Sequence, residues 1–315
     1  MCGICGVYNA RTEEPVPQEL ITQMTRLLAH RGPDDSGIYL DQNIGLGVAR
    51  LSIIDLSGGH QPMSNEAGDT WLAFNGEIWN YRALRQELTA KGHHFRTNSD
   101  TETIIYTYEE YGVDGVARLH GMFGFALWDY SRRRLLLARD RIGKKPLYYT
   151  RVDDTLIFAS EIKSLLCHPR VKRQVDAQAL ADFLSVRYVP GPATLFANIY
   201  KVQPGHWLLY ENGTLRQECY WDYTFSETKR LPTEEYIQGI RQHIRKSIEE
   251  RMMSDVPLGT MLSGGVDSSI STGIMSELMS EPVKTFSVGF DITEAVRLAI
   301  LDVPANASVE AVDQV

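Results

Sequence analysis

The chain opens Met1-Cys2-Gly3-Ile4-Cys5-Gly6-Val7. Removing Met1 would leave Cys2 first, with a thiol and a free α-amine on one residue. An α-amine titrates near pH ~8, far below a lysine, so close to neutrality it is partly unprotonated and can act as a general base. A nucleophile beside its own base is the N-terminal nucleophile arrangement. Gly3 and Gly6 permit the close backbone approach that a crowded site needs. The same residues also read as a small buried strand with two inert cysteines, and the rest of the chain has to decide between the two.

A second stretch with chemical content is Ser263-Gly264-Gly265-Val266-Asp267-Ser268-Ser269. It follows Leu258 to Leu262, expected to be a buried strand, and precedes a helix with Ile270, Ile274 and Leu278 on one face. A glycine-rich turn at a helix N-terminus is an anion site: the backbone can approach, free N–H groups point at phosphate, and the helix dipole favours negative charge. The serine hydroxyls add donors. The pattern G-x-x-x-x-G-K-[ST] is missing, which excludes a Walker A loop. Val283 to Gly289 reads as the next strand, and this β-loop-α-β unit predicts a parallel crossover.

The elements that position these stretches can be placed coarsely. Gln18 to Arg31 reads as a helix with Leu20, Ile21, Met24, Leu27 and Leu28 on one face. Ile44 to Ser52 and Thr70 to Phe74 read as strands, the second followed by Asn75-Gly76. Asn80 is placed to cap a helix that ends at Gly92, and another helix follows Asp100. From Gly121 come short strand runs, FGFALWD, RLLLARD, PLYYT and TLIFAS. The arginines at 132–134 fall where a hairpin turns and read as solvated. Residues 186–234, rich in Pro, Gly and aromatics, read as a connecting region with a few short strands. A helix from Thr233 to Met253 then opens a second domain. Helices flanking strand runs predict an α+β layer architecture.

Bulk properties narrow the classes of function. The 315 residues suggest about two domains, and the composition is that of a globular protein. A net charge of −8 argues against a broad nucleic-acid surface. No apolar run reaches ~18 residues and no signal peptide is visible, so no membrane association and a cytoplasmic location are expected. The four cysteines, Cys2, Cys5, Cys167 and Cys219, lack the spacing of a zinc site.

Taken together, MCGICG, HRGPDDSG, ARLSIIDL, QPM, FNGEIWNY, SDTE, GMFGFALWD, RDRIGKKPLYY, ASEIKSLL, YVPGPATLF, PGH and LSGGVDSS occur in an order that resembles glutamine-dependent asparagine synthetases. The resemblance covers residues 1 to about 290. It implies an N-terminal-nucleophile αββα sandwich of antiparallel sheets over 2–218, a class II glutamine amidotransferase domain. A partial Rossmann-like ATP-pyrophosphatase domain follows over 219–290, with an unmatched tail over 291–315. It implies that the Cys2 thiolate attacks the glutamine amide, with the Asn75 side chain and the Gly76 N–H as oxyanion donors. Arg50 would clamp the α-carboxylate, as a guanidinium does bidentately. Glu77 and Asp100 would take the α-ammonium, and backbone groups of Leu51, Ile53 and Ile54 would line the pocket.

For the second domain the resemblance implies ATP with Mg²⁺ and adenylation of aspartate. Leu262 and Val288 would flank the adenine, while Ser263, Gly264, Gly265, Asp267 and Ser268 would hold phosphate and metal. Ammonia would reach the aspartyl adenylate through an internal tunnel. A homodimer is left open. His93 and His94 are set aside as bases, and Lys144 and Lys145 are read as structural.

The resemblance ends at Phe290, which suggests a C-terminally shortened synthetase with a frameshifted tail. The chain alone is then expected not to form asparagine. Two functional readings follow: glutamine-hydrolysing asparagine synthesis with a competent glutaminase half, or a stand-alone glutaminase, ammonia donor or glutamine-binding relic. A different carboxylate acceptor remains an option.

Overall fold

The computed structural model describes residues 1–11, 14–225 and 230–289. The chain divides into two compact units, Met1–Ser226 and Glu227–Val315. In chain order the first unit contains β1 (Gly3–Asn9), α1 (Gln18–Arg26), β2 (Asp35–Asp41), β3 (Ile44–Arg50), β4 (Met63–Ser64), β5 (Thr70–Ile78), α2 (Tyr81–Ala90), α3 (Asp100–Tyr111) and β6 (Gly121–Asp129). It continues with β7 (Arg134–Arg139), β8 (Tyr148–Val152), β9 (Thr155–Ala159), α4 (Ile162–Leu165), α5 (Ala177–Val186), β10 (Tyr200–Lys201), β11 (His206–Glu211) and β12 (Thr214–Cys219). The second unit contains α6 (Thr233–Arg251), β13 (Gly259–Met261), α7 (Val266–Leu278) and β14 (Lys284–Phe286).

Two six-stranded sheets build the first unit, one ordered β10-β8-β9-β1-β3-β2 and the other β12-β11-β7-β6-β5-β4. Their strand pairs are antiparallel. Side chains on a strand alternate between faces, and β1 uses both. Ile4 and Tyr8 join Ile44, Leu46 and Val48 against Ala126, Trp128, Leu135, Leu137 and Tyr210 of the facing sheet. Cys5 and Val7 point the other way, onto Ile21, Met24 and Leu28 and onto Leu165 of α4. Helices α2 and α3 bury Leu84, Leu88, Ile104 and Ile105, and α3 packs on β5. The result is the expected αββα sandwich. A strand buried on both faces must be apolar throughout, which is why β1 shows no polar alternation.

Several local expectations are corrected. Helix α1 stops at Arg26, and residues 28–32 continue as tight turns, with Leu28 N–H on Thr25 O and Arg31 N–H on Leu28 O. The shortened last turn still buries Leu28. Strand β5 does not end before Asn75-Gly76; it runs on to Ile78, pairing Asn75 with Gly124 and Gly76 with Phe123. The Gly76 position is why: a Cβ there would lie 2.2 Å from the Met122 carbonyl oxygen, so glycine lets the strands close. Asn80 does sit before α2, but its side chain accepts from His120 N–H and donates to Arg118 O instead of capping.

The stretch 186–234 is more than a connection. Its strands β10, β11 and β12 form one edge of each sheet. The turn between β11 and β12 is Asn212-Gly213, both at positive φ, the combination that joins twisted hairpin strands. Within the second unit, β13 and β14 pair in parallel as expected, in the register Met261 to Phe286. The strand expected to be buried, around Leu258 to Leu262, is not: Met261 is 60% exposed, and Phe286 of the paired β14 is 58% exposed. Parallel strands need cover on both faces, and the described residues do not supply it.

Candidate active site

Cys2 sits one residue ahead of β1. Because β1 pairs with β3, Gly3 opposite Ala49, the thiol is carried to the chain just beyond β3. There Leu51 N–H donates to Cys2 Sγ at 3.4 Å, and the thiol faces Leu51 O at 3.6 Å. Arg31 Nε holds the Cys2 carbonyl at 3.0 Å, and Arg31 Nη1 is anchored on Glu161 at 3.0 Å. Although burial works the other way, Arg31, Lys163 and His30 pull the Glu161 carboxyl down to about 2. No sequence signal assigned this anchor to the site, although Arg31 and Glu161 lie inside recognisable blocks.

The thiol opens onto a cavity of about 330 Å³. All nine residues expected at the glutamine site line it: Cys2, Arg50, Leu51, Ile53 and Ile54 from the first sheet and its following loop, Asn75, Gly76 and Glu77 from β5, and Asp100 from the start of α3. The wall also includes Gln61, Phe74, Ser99, Thr101, Met122 and Lys145, none of which the sequence assigned to the site, Lys145 being read as structural. His93 and His94 lie elsewhere, on a shallow cleft beside Glu109.

Asn75 is 1% exposed, and neither its amide nitrogen nor its oxygen has a hydrogen-bond partner. A buried amide without partners is costly and needs an explanation. Here both atoms belong to a side chain on the wall of the cavity that holds the thiol. Asp100 is tied down differently: Ile78 N–H donates to its Oδ2 at 2.8 Å. Burial pushes the Asp100 carboxyl up to about 7; the Ile78 bond opposes this and the Glu77 charge adds to it.

Arg50 is buried, and its guanidinium is already engaged. Nη2 donates to Ile54 O at 3.0 Å and to Asp55 O at 2.7 Å, and Nη1 to Leu56 O at 3.3 Å. The loop after β3 is thus wrapped around Arg50, and the Nε hydrogen and one on Nη1 remain. The bidentate clamp expected of this arginine would need one of those carbonyls to give way.

Burial raises the Cys2 thiol, against the Leu51 hydrogen bond and the charges of the N-terminus, Arg50 and Lys145. The terminal amine, here on Met1, is lowered by burial first, then by Lys145 and Arg31, with Cys2 and Asp34 acting in the opposite sense. Both shifts favour an uncharged thiol–amine pair at rest.

The serine-glycine loop of the second unit also forms as expected at the C-terminal edge of the parallel pair. Gly264 takes φ +80, and α7 starts after Gly265. Ser268 Oγ lies 3.1 Å from Ser263 Oγ and donates to Gly265 O, while Ser269 donates to the same carbonyl. Leu262 N–H donates to Phe286 O, which brings Leu262 and Val288 to the same edge. Among the described residues no cluster of His, Cys, Asp and Glu side chains could hold a metal ion, so the loop offers Asp267 but no closed metal site. No helix of the described residues is long and apolar enough to cross a membrane.

Residues 1–221 match the glutamine amidotransferase domain family, and residues 239–301 match the asparagine synthase family. Among curated relatives, asparagine synthetase [glutamine-hydrolyzing] 1 of Bacillus subtilis is 43% identical over 298 residues, 92% of this chain and 46% of the relative. Asparagine synthetase B of Escherichia coli is 34% identical over 90% of this chain and 46% of its own length. Amidase chry2 of Gibberella zeae is 39% identical over 90% of this chain and 44% of its own length. The chain spans about half the length of the curated relatives it matches. Among solved structures, a glutamine PRPP amidotransferase from B. subtilis aligns with a TM-score of 0.50 at 18% identity, covering 96% of this chain and 71% of that one, a likeness of fold.

Proposed function

Because the chain belongs to the glutamine amidotransferase domain family, we propose that it hydrolyses glutamine, with Cys2 as the nucleophile. The observation that carries this reading is Asn75, whose unpartnered amide lines the cavity that holds the thiol. With Met1 removed, the Cys2 amine takes the thiol proton, and the thiolate attacks the side-chain amide carbon. The oxyanion is held by Asn75 Nδ2 and the Gly76 N–H, donors fixed before charge develops. The amine returns the proton to the departing nitrogen, releasing ammonia and leaving a γ-glutamyl thioester. Water, deprotonated by the same amine, cleaves the thioester to glutamate and the free thiol. Arg50 binds the α-carboxylate, and Glu77 and Asp100 bind the α-ammonium.

The fuller reading is glutamine-hydrolysing asparagine synthesis, with ATP at the Ser263–Ser269 loop and aspartate as acceptor. It is supported by the match over residues 239–301 and by the loop's place at a helix N-terminus. Mg²⁺ would enter with the nucleotide, since the described residues form no metal site of their own. The narrower reading is that this chain is a glutaminase and ammonia donor, supported by the match over residues 1–221.

The test is ammonia release from glutamine by chain whose intact mass shows loss of Met1. Cys2→Ala is expected to abolish it. Asn75→Ala is expected to lower kcat by about 10²- to 10³-fold, as loss of an oxyanion donor does. A Cys2→Ala protein that still releases ammonia sinks the glutaminase reading. Asparagine formation from aspartate, ATP and ammonia separates the fuller reading from the narrower one.

A further inference from the structure

Lys144 and Lys145 are adjacent in sequence and opposite in environment: Lys144 is exposed and Lys145 is 6% exposed. The split is built by Asp140, which follows β7. Its carboxylate accepts the N–H groups of Lys144 and Lys145, both at 2.9 Å, and of Phe123 at 3.2 Å. Arg139 Nε donates to Lys145 O at 2.7 Å. The backbone is therefore fixed on both sides of the residue, with the side chain on the wall of the Cys2 cavity. Burying an ammonium is costly unless opposite charge faces it. Burial pulls the Lys145 ammonium down, Glu77 and Cys2 on the same cavity wall and Asp140 behind work against that, and Arg31 adds to it.

We propose that the Lys145 ammonium is the counter-charge of this site: a positioning residue that favours the Cys2 thiolate over the thiol and holds Glu77 in place on the cavity wall. The proposal rests on the reading of Cys2 as nucleophile. The cavity explains why a second cation is needed. Arg50 has given three hydrogen bonds to loop carbonyls. The thiolate, Glu77 and Asp100 would together place three negative groups around one small volume. Lys145 reaches it from the connection between β7 of the second sheet and β8 of the first, while Arg50 reaches it from the end of β3. The ammonium also acts on the amine base. A nearby cation disfavours a protonated amine, so the same charge makes the thiol a better acid and keeps its base free. The other charged groups facing the thiol and amine are Arg50, Arg31 and Asp34.

The experiment follows the rate of Cys2 alkylation by iodoacetamide against pH, in this chain lacking Met1, with the labelled cysteine identified by peptide mass. Lys145→Met is expected to move the alkylation midpoint up by about one pH unit, the shift typical of losing one close opposite charge. Lys145→Arg is expected to restore it. The acid limb of kcat/KM for glutamine hydrolysis should move with it, a change that lost packing alone would not produce. If Lys145→Met fails to fold, Lys145→Gln puts the same question with a neutral polar side chain. An unmoved midpoint in a folded neutral variant overturns the proposal and leaves the glutaminase reading intact. Wild-type chain that alkylates normally yet releases no ammonia overturns that reading instead.

Discussion

The chemistry of single residues here is set by burial. Asp100 shows it most directly. In the unfolded chain its carboxyl releases a proton near pH ~4, whereas in the fold burial keeps the proton up to about 7. Between those values the native state holds a proton that the unfolded state has lost, so stability falls as pH rises through the window. Above it the cost is complete. Asn at this position keeps an oxygen for the Ile78 N–H. Asp100→Asn is therefore expected to raise Tm by several degrees at pH 8, the gain falling away towards pH ~4. It should also raise the KM for glutamine by about tenfold or more, since a charge-assisted bond to the substrate ammonium is lost. Equal Tm changes at both pH values would contradict the burial account. Which residues were legible follows the same logic. Cys2, Arg50, Asn75 and Asp100 were visible because each stands in a distinctive block. Lys145 was not, because two adjacent lysines look alike until the Asp140 latch turns one inward.

At the scale of elements, the site depends on two strands being held close. Strand β1 delivers the thiol and β5 delivers Asn75 and Gly76, the proposed oxyanion donors, and each strand belongs to a different sheet. Gly76 lies where β5 meets β6, with no room for a methyl group beside the Met122 carbonyl and the Phe123 Cα. Gly76→Ala must push the strands apart or twist the peptide that supplies the N–H. It is expected to lower kcat for ammonia release by at least about 10²-fold, comparable to losing an oxyanion donor outright, and to lower Tm as well. A variant with full activity would show that this peptide is not a donor. The strands around this point were readable from their apolar runs, but the end of β5 was not. Asn-Gly is a turn signal, and it continues as strand here because glycines at 76 and, on the paired β6, at 121 leave no Cβ to push the strands apart. The hairpin at Asn212-Gly213 is the reverse case, where the same dipeptide does turn.

At the scale of the whole molecule, the two units differ in how much they bury. The sandwich has a core on both faces of β1, whereas α6 buries none of its residues and α7 only Met275. Regions with few buried apolar contacts open at low free energy. Limited trypsin digestion is therefore expected to remove Arg241, Lys246 and Arg251 with their surroundings first, leaving a protected fragment that retains ammonia release. Simultaneous loss of both units would argue for one cooperative body. The two-unit organisation was legible from the shift in pattern near Thr233, but the poor cover of the second unit was not, since its apolar residues look like those of any core until their exposure is seen. The position of Met1 has a practical side. Met1 lines the cavity beside Cys2, so whatever precedes Cys2 occupies the space proposed for glutamine. An affinity tag fused ahead of Cys2 would act as a tethered plug as well as a block on the amine, and any purification handle belongs at the other end of the polypeptide.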